Sequence, residues 1–207
     1  FGTHPDKVEW SRWEWHDVVA DWNWKGHENQ PLEVNVYSSC EQAELFLDGR
    51  SLGKQSTNRS NKFTAVWKVP YQAGTLKAIG YNKGRVVSSA ILRTAAAPEQ
   101  IKLTADRTGL KPDGQDLSYI TVELVDEHGV RDPKAVQLVK FEIEGPGEIV
   151  GVGNANPMSV ESYQLPQRKT WQGRCMVIVR SGGKPGAIKV KASVDGMKQA
   201  EITLNAQ

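Results

Sequence analysis

The residues best equipped for chemistry crowd together early in the chain. Five of the seven tryptophans (Trp10, Trp13, Trp15, Trp22 and Trp24) fall between positions 10 and 24, with Glu14, Asp17, Asp21 and Glu28 beside or between them. Flat aromatic faces stack on the apolar C–H face of a pyranose while carboxylates accept its hydroxyls, so the combination suits a sugar. Cleaving a glycosidic bond asks more: two carboxyl groups held about 5–10 Å apart across the sugar. A run of acids without a rigid scaffold fixes neither that distance nor a pKa, so none of these acids is assigned a catalytic role. Three roles remain open for the tryptophans. They can pack and tether an N-terminal segment, face another domain as an aromatic interface, or contact carbohydrate directly. Trp13, Trp15, Trp22 and Trp24 are the candidates for the last two roles.

Other constellations are missing from the sequence. There is no G-x-S-x-G elbow, no H-E-x-x-H and no phosphate-binding glycine loop. His4, His16, His27 and His128 are scattered without zinc-ligand spacing. Asp113-Gly114-Gln115-Asp116 lacks the further ligands of a calcium loop and reads as a tight turn. No metal or cofactor is therefore expected. With 26 basic and 24 acidic residues interspersed, net +2, the chain has no basic stripe for nucleic acid. No run of about 18 apolar residues exists to span a membrane. Cys40 and Cys175 read as two buried free thiols, with a bridge between candidate domains as the alternative. Asn58-Arg59-Ser60 fits a glycosylation sequon, relevant only in a eukaryotic secretory setting. Phe1, in place of an initiator Met, reads as the start of an excised or mature segment.

The elements that must position these residues are strands. Leu32 to Tyr37, Ala43 to Leu47, Phe63 to Val69, Leu76 to Tyr81 and Arg85 to Ala90 alternate apolar and polar residues in whole or in part. Asp48-Gly49 predicts a hairpin turn with positive φ at both central residues, and Asn82-Lys83-Gly84 predicts a second. The small, proline-containing run Thr94 to Glu99 breaks the alternation and is the expected linker. Strand patterns resume at Ile101 to Ala105, Tyr119 to Val125, Val136 to Ile143, Glu148 to Val152, Cys175 to Arg180, Ile188 to Val194 and Ala200 to Leu204. Between them, Asn154 to Thr170 reads as one long loop. At 207 residues and 39% apolar before its 19 glycines are counted, the chain can fill two cores. The expected fold is all-β, two tandem antiparallel β-sandwiches. A complete α/β barrel would need about 250 residues and does not fit.

Longer runs are familiar. Asp21-Trp22-Asn23-Trp24-Lys25-Gly26, Gln30-Pro31-Leu32-Glu33-Val34, Glu44 to Lys54 and Val69-Pro70-Tyr71 resemble the first sandwich after the catalytic barrel in bacterial family-two glycoside hydrolases of the β-galactosidase type. Asp113 to Leu117, Gly145 to Asn154 and Gly173 to Ser181 are similar to the immunoglobulin-like, invasin-like sandwich that ends the same enzymes. Where this chain has Asp21, the family often has His. The resemblance implies a Trp-rich bridge over 1–24, a first sandwich over 25–96 that takes in part of the bridge, and an invasin-like sandwich over 97–207. It also implies a catalytic barrel of the same protein as partner, carrying the hydrolytic glutamates, and a periplasmic or extracellular location. The implied role is accessory, supporting the barrel or its substrate mouth. Carbohydrate binding by the Trp cluster and surface adhesion are the alternatives.

Overall fold

The computed structural model describes residues 18–207 and divides the chain into two compact units between Thr94 and Ala95. Among the described residues, the first unit contains six strands: β1 (Pro31–Tyr37), β2 (Gln42–Leu47), β3 (Arg50–Ser56), β4 (Thr64–Pro70), β5 (Thr75–Asn82) and β6 (Arg85–Arg93). β1 pairs with β4, and the other four form an antiparallel sheet in the order β3-β2-β5-β6. Both predicted hairpin turns form. Asp48 and Gly49 have φ of 48° and 81°, and Lys83 and Gly84 have 49° and 74°, the left-handed pair that matches strand twist. Alternation then sends Leu32 and Val34 of β1, Leu45 of β2 and Ala65, Trp67 and Val69 of β4 into one core. Trp22, which precedes all the strands, lies in that core with Tyr71.

The second unit is built from β7 (Gln100–Ala105), β8 (Gly109–Leu110), β9 (Leu117–Val125), β10 (Leu138–Glu144), β11 (Gly147–Gly153), β12 (Gln167–Lys169), β13 (Arg174–Ser181), β14 (Gly186–Ser193) and β15 (Ala200–Ala206). A five-stranded sheet, β12-β10-β14-β15-β8, faces a four-stranded sheet, β11-β13-β9-β7. Their inner faces supply one core, with Ile120, Val122, Val177 and Val179 from one sheet and Val139, Phe141, Ile188, Val190 and Leu204 from the other. This is the interdigitated interior of a sandwich. The architecture differs from the expected one in two places. β8 runs parallel to β15, and the expected loop 154–170 contains β12, paired with β10. Two and three residues are too few to show a period, so neither strand is visible as a pattern.

In the run expected to be a linker, Thr94 bonds within the first unit, and the residues from Ala95 onward are anchored to the second. The Asp126 carboxylate, 2% exposed, accepts the backbone N–H groups of Ala96 at 3.0 Å, His128 at 2.9 Å and Val130 at 2.8 Å. Glu99 N–H donates to the Val125 carbonyl. Burial alone would raise the Asp126 pKa, but the three N–H donors outweigh it and hold the carboxyl below its ordinary value. Asp106 shows the same balance, its burial outweighed by N–H groups of Tyr119 and Arg107. Folded pKa values below the unfolded ones mean that the native state binds fewer protons. The stabilisation is present above the unfolded pKa of about 4 and is lost as pH falls through the folded value. Thermal melts of the second unit are therefore expected to hold level near neutrality and decline below about pH 4. Asp126→Asn removes part of that slope and lowers stability by about 1–3 kcal/mol at pH 7, because it replaces a charged acceptor of three N–H groups. A variant as stable as the parent at pH 7, with an unchanged acid slope, would refute this account.

Candidate functional site

Of the four tryptophans proposed from sequence, two lie within the described residues. Trp22 is 1% exposed. Its ring meets Tyr71 edge-on at 5.2 Å between centroids, and its indole N–H donates to the Gln72 carbonyl at 3.0 Å. Thr94 ties down the same residue from the far end of the unit, its hydroxyl donating to the Trp22 carbonyl at 2.6 Å. Trp24 is half-buried against the same core, its ring edge-on to His27 at 6.2 Å. The Trp24 indole N–H is buried without a hydrogen-bond partner among the described residues. Trp13 and Trp15 lie outside the described residues, as do Trp10, Glu14, His16 and Asp17.

The remaining acids of the cluster are engaged locally. Asp21 accepts the Asn23 amide at 2.6 Å, and Glu28 accepts Gly26 N–H with both oxygens at 3.0 Å. The Gly26 N–H is the main reason that the Glu28 carboxyl titrates below its ordinary range. His27 belongs to the same turn: its N–H donates to the Trp24 carbonyl, and its Nδ1 lies 2.9 Å from Gln30 Oε1. The chain thus turns tightly at 24–30, and a hydrogen bond from Asn29 N–H to the Tyr71 carbonyl holds the turn on the core. Among the described residues, no three His, Cys, Asp or Glu side chains come together as metal ligands. Cys40 and Cys175 are both free and buried, and burial pushes the Cys175 thiol up to about 12, against a smaller downward pull from Arg168. No helix among the described residues is long and apolar enough to cross a membrane.

The segment between β11 and β12 contains a feature that sequence reasoning missed. Arg168 of β12 has no exposed surface. Its Nη1 donates to the Glu161 carbonyl and its Nη2 to Asn154 Oδ1, both at 3.1 Å, while Nε lies 3.8 Å from a Glu161 carboxylate oxygen. The guanidinium also sits 4.7 Å from the centre of the Tyr163 ring. One buried cation thereby organises a segment that otherwise shows its apolar side chains to solvent, with Val160 100% and Tyr163 57% exposed. Arginine is among the residues least often buried, which is why no pattern flags it.

Two tandem sandwiches, the first holding an aromatic turn and the second a pinned loop, resemble parts of larger proteins. Residues 101–203 match the family described as glycoside hydrolase family 2 C-terminal domain 5, and residues 29–88 match a domain of unknown function, DUF4982. A family 2 glycosyl hydrolase from Bacteroides cellulosilyticus, known from its crystal structure, is 52% identical over the whole of this chain and 27% of its own, with a TM-score of 0.90. A β-galactosidase of Bacteroides ovatus is 36% identical over 96% of this chain and 23% of its own length. The structure of a β-glycosidase from Bacteroides vulgatus shares 26% identity over 91% of this chain and 24% of its own, with a TM-score of 0.86. The chain belongs to the C-terminal accessory region of the family 2 glycoside hydrolases. It spans between 18% and 23% of the length of the curated relatives that it matches.

Proposed function

We propose that this chain serves a larger bacterial β-galactosidase-type hydrolase as a non-catalytic support, the hydrolytic glutamates residing on a catalytic barrel elsewhere in the same protein. The observation that carries this reading is the match to a β-galactosidase over 96% of the chain, through both sandwiches in order. Relatives named β-glucuronidase also match, at 31% and 28% identity, so galactoside is the first substrate to test. The enzyme would act in the periplasm or outside the cell. Residues 1–24 are the bridge to the barrel, part of it built into the first sandwich at Trp22, and Trp13, Trp15 and Trp24 are the residues through which this region meets the barrel or the sugar at its mouth. Trp22 contributes by fixing the turn that presents Trp24.

The half-buried ring and unpaired indole N–H of Trp24 favour a contact made by that residue. Pure chain incubated with nitrophenyl β-galactoside is expected to give no turnover above the buffer blank; turnover that tracks the purified chain would overturn the accessory assignment. Galactose titrated to millimolar concentration separates the two roles of Trp24. A saturable change in tryptophan fluorescence, abolished by Trp24→Ala, would establish sugar contact. A flat titration with flat calorimetry assigns Trp24 to the junction with the barrel.

A further inference from the structure

The outer face of the four-stranded sheet in the second unit is unlike an ordinary solvent-facing sheet. In β13, Cys175, Val177 and Val179 point into the core, so Arg174, Met176 and Ile178 point outward. Register then builds rows across the strands. Arg174 pairs with Glu123, which pairs with Lys102; Met176 pairs with Thr121, which pairs with Thr104. On the β11 side the Met176 row and the neighbouring Ile178 row end in glycine, since Gly153 pairs with Met176 and Gly151 with Ile178. A Cβ at Gly153 would meet nothing within 4 Å. Missing side chains on one flank leave a groove of about 900 Å³ floored by Met176, Ile178, Thr104 and Thr121. That volume is typical of small-molecule sites.

Two aromatic residues border the groove, and the backbone fixes both. Trp171, 37% exposed, opens a tight turn whose central residues Gln172 and Gly173 have φ of 50° and 71°, closed by paired backbone hydrogen bonds between Trp171 and Arg174. Gly173 cannot be replaced without strain: a Cβ there would stand 2.2 Å from the Asp132 carbonyl oxygen. Tyr163 reaches the groove because its carbonyl accepts Val152 N–H, while the buried Arg168 guanidinium lies over its ring.

The charge in the groove is asymmetric. Arg174 Nε and Nη2 both lie 2.8 Å from Glu123 Oε1, Lys102 Nζ lies 3.6 Å from Oε2, and Arg131 Nε lies 3.7 Å from Oε1. Of the residues that line the groove, two cations, Lys102 and Arg174, share one carboxylate, a formal excess of one positive charge. Lys102 and Arg174 are more than half exposed, and Glu123 is the one acid lining the groove. Aromatic rings beside a groove suit the C–H faces of sugar rings, Gln172 offers a planar amide to a hydroxyl pair, and the surplus positive charge seeks an anion.

We propose that this groove binds an acidic oligosaccharide, one whose sugars carry carboxylates, with Trp171 and Tyr163 stacking on the rings and Lys102 and Arg174 meeting the carboxylate. This goes beyond the accessory assignment and uses none of the residues that carry it, so the two can fail separately. The test is calorimetric titration of the 207-residue chain with tetragalacturonate, neutral β-1,4-galactotetraose and poly-glutamate. Tetragalacturonate is expected to bind saturably, with affinity falling about tenfold on raising NaCl from about 50 to 500 mM. Trp171→Ala should weaken it about tenfold through lost stacking. Gly153→Val, which removes no contact and suits a strand, should block it by filling the groove; circular dichroism melts check that each variant folds. The proposal is overturned by any of three results: no saturable heat with tetragalacturonate, equal affinity for the neutral tetraose or poly-glutamate, or binding unmoved by both substitutions.

Discussion

Trp22→Ala is expected to lower the stability of the first unit by about 3–5 kcal/mol, as large-to-small changes at fully buried aromatic sites do. Three losses add up. The side chain is one of the largest fully buried in the protein, its edge-on contact with Tyr71 disappears, and the Gln72 carbonyl loses its indole donor. Trp22→Phe keeps much of the buried area and loses the hydrogen bond, so a smaller cost of about 1–2 kcal/mol is expected. Domains of this size have about 5–15 kcal/mol in total, so the alanine variant brings the first unit close to unfolding. Urea denaturation followed by far-UV circular dichroism would then show an early transition from the first unit and an unshifted one from the second, a case in which one free energy for the whole chain has no meaning. A shift below about 1 kcal/mol would mean that Trp22 is a surface contact after all.

The second large effect belongs to Arg168. Arg168→Ala should cost the second unit about 3–5 kcal/mol, because removing one partner of a buried ionic cluster leaves the others uncompensated. Those others are the Glu161 carbonyl, Asn154 Oδ1 and the Glu161 carboxylate. Arg168→Lys is not expected to rescue. A single ammonium lacks the planar fork that serves Asn154 and Glu161 together. Limited proteolysis gives a second readout. Chymotrypsin should cut the alanine variant near Tyr163 and Leu165 much faster than the parent, while sites in the first unit keep their rates. Equal cleavage, together with equal denaturation midpoints, would show that the loop holds its shape without the arginine.

How much of this is legible in the sequence depends on whether a feature is local. Asp48-Gly49 and Lys83-Gly84 announce their hairpins because the required φ belongs to those residues alone. The β1, β4 and β13 patterns announce their buried faces because the strand period is two. β8 and β12 carry no such signal; pairing partners distant in the chain make them strands. Trp22 was visible as a residue needing burial or a partner, but only the fold chooses between these, by bringing Tyr71 and Gln72 to it. The groove is the extreme case. Lys102, Glu123 and Arg174 meet solely through the register of β7, β9 and β13, and no spacing within the chain hints at it.

The short strands have a further consequence. An open sheet edge invites a strand from another molecule, and a protein made of sandwiches in series holds several such edges at high local concentration. The five-stranded sheet ends on β12 at one side and β8 at the other, three and two residues long, which leaves an incoming strand almost nothing to zip against. On the other sheet, β11 is interrupted by a bulge between Ile149 and Gly151, and β7 carries a lysine at its centre, two further devices against self-association. The strands that hide best from sequence inspection are those that shorten both edges of the five-stranded sheet.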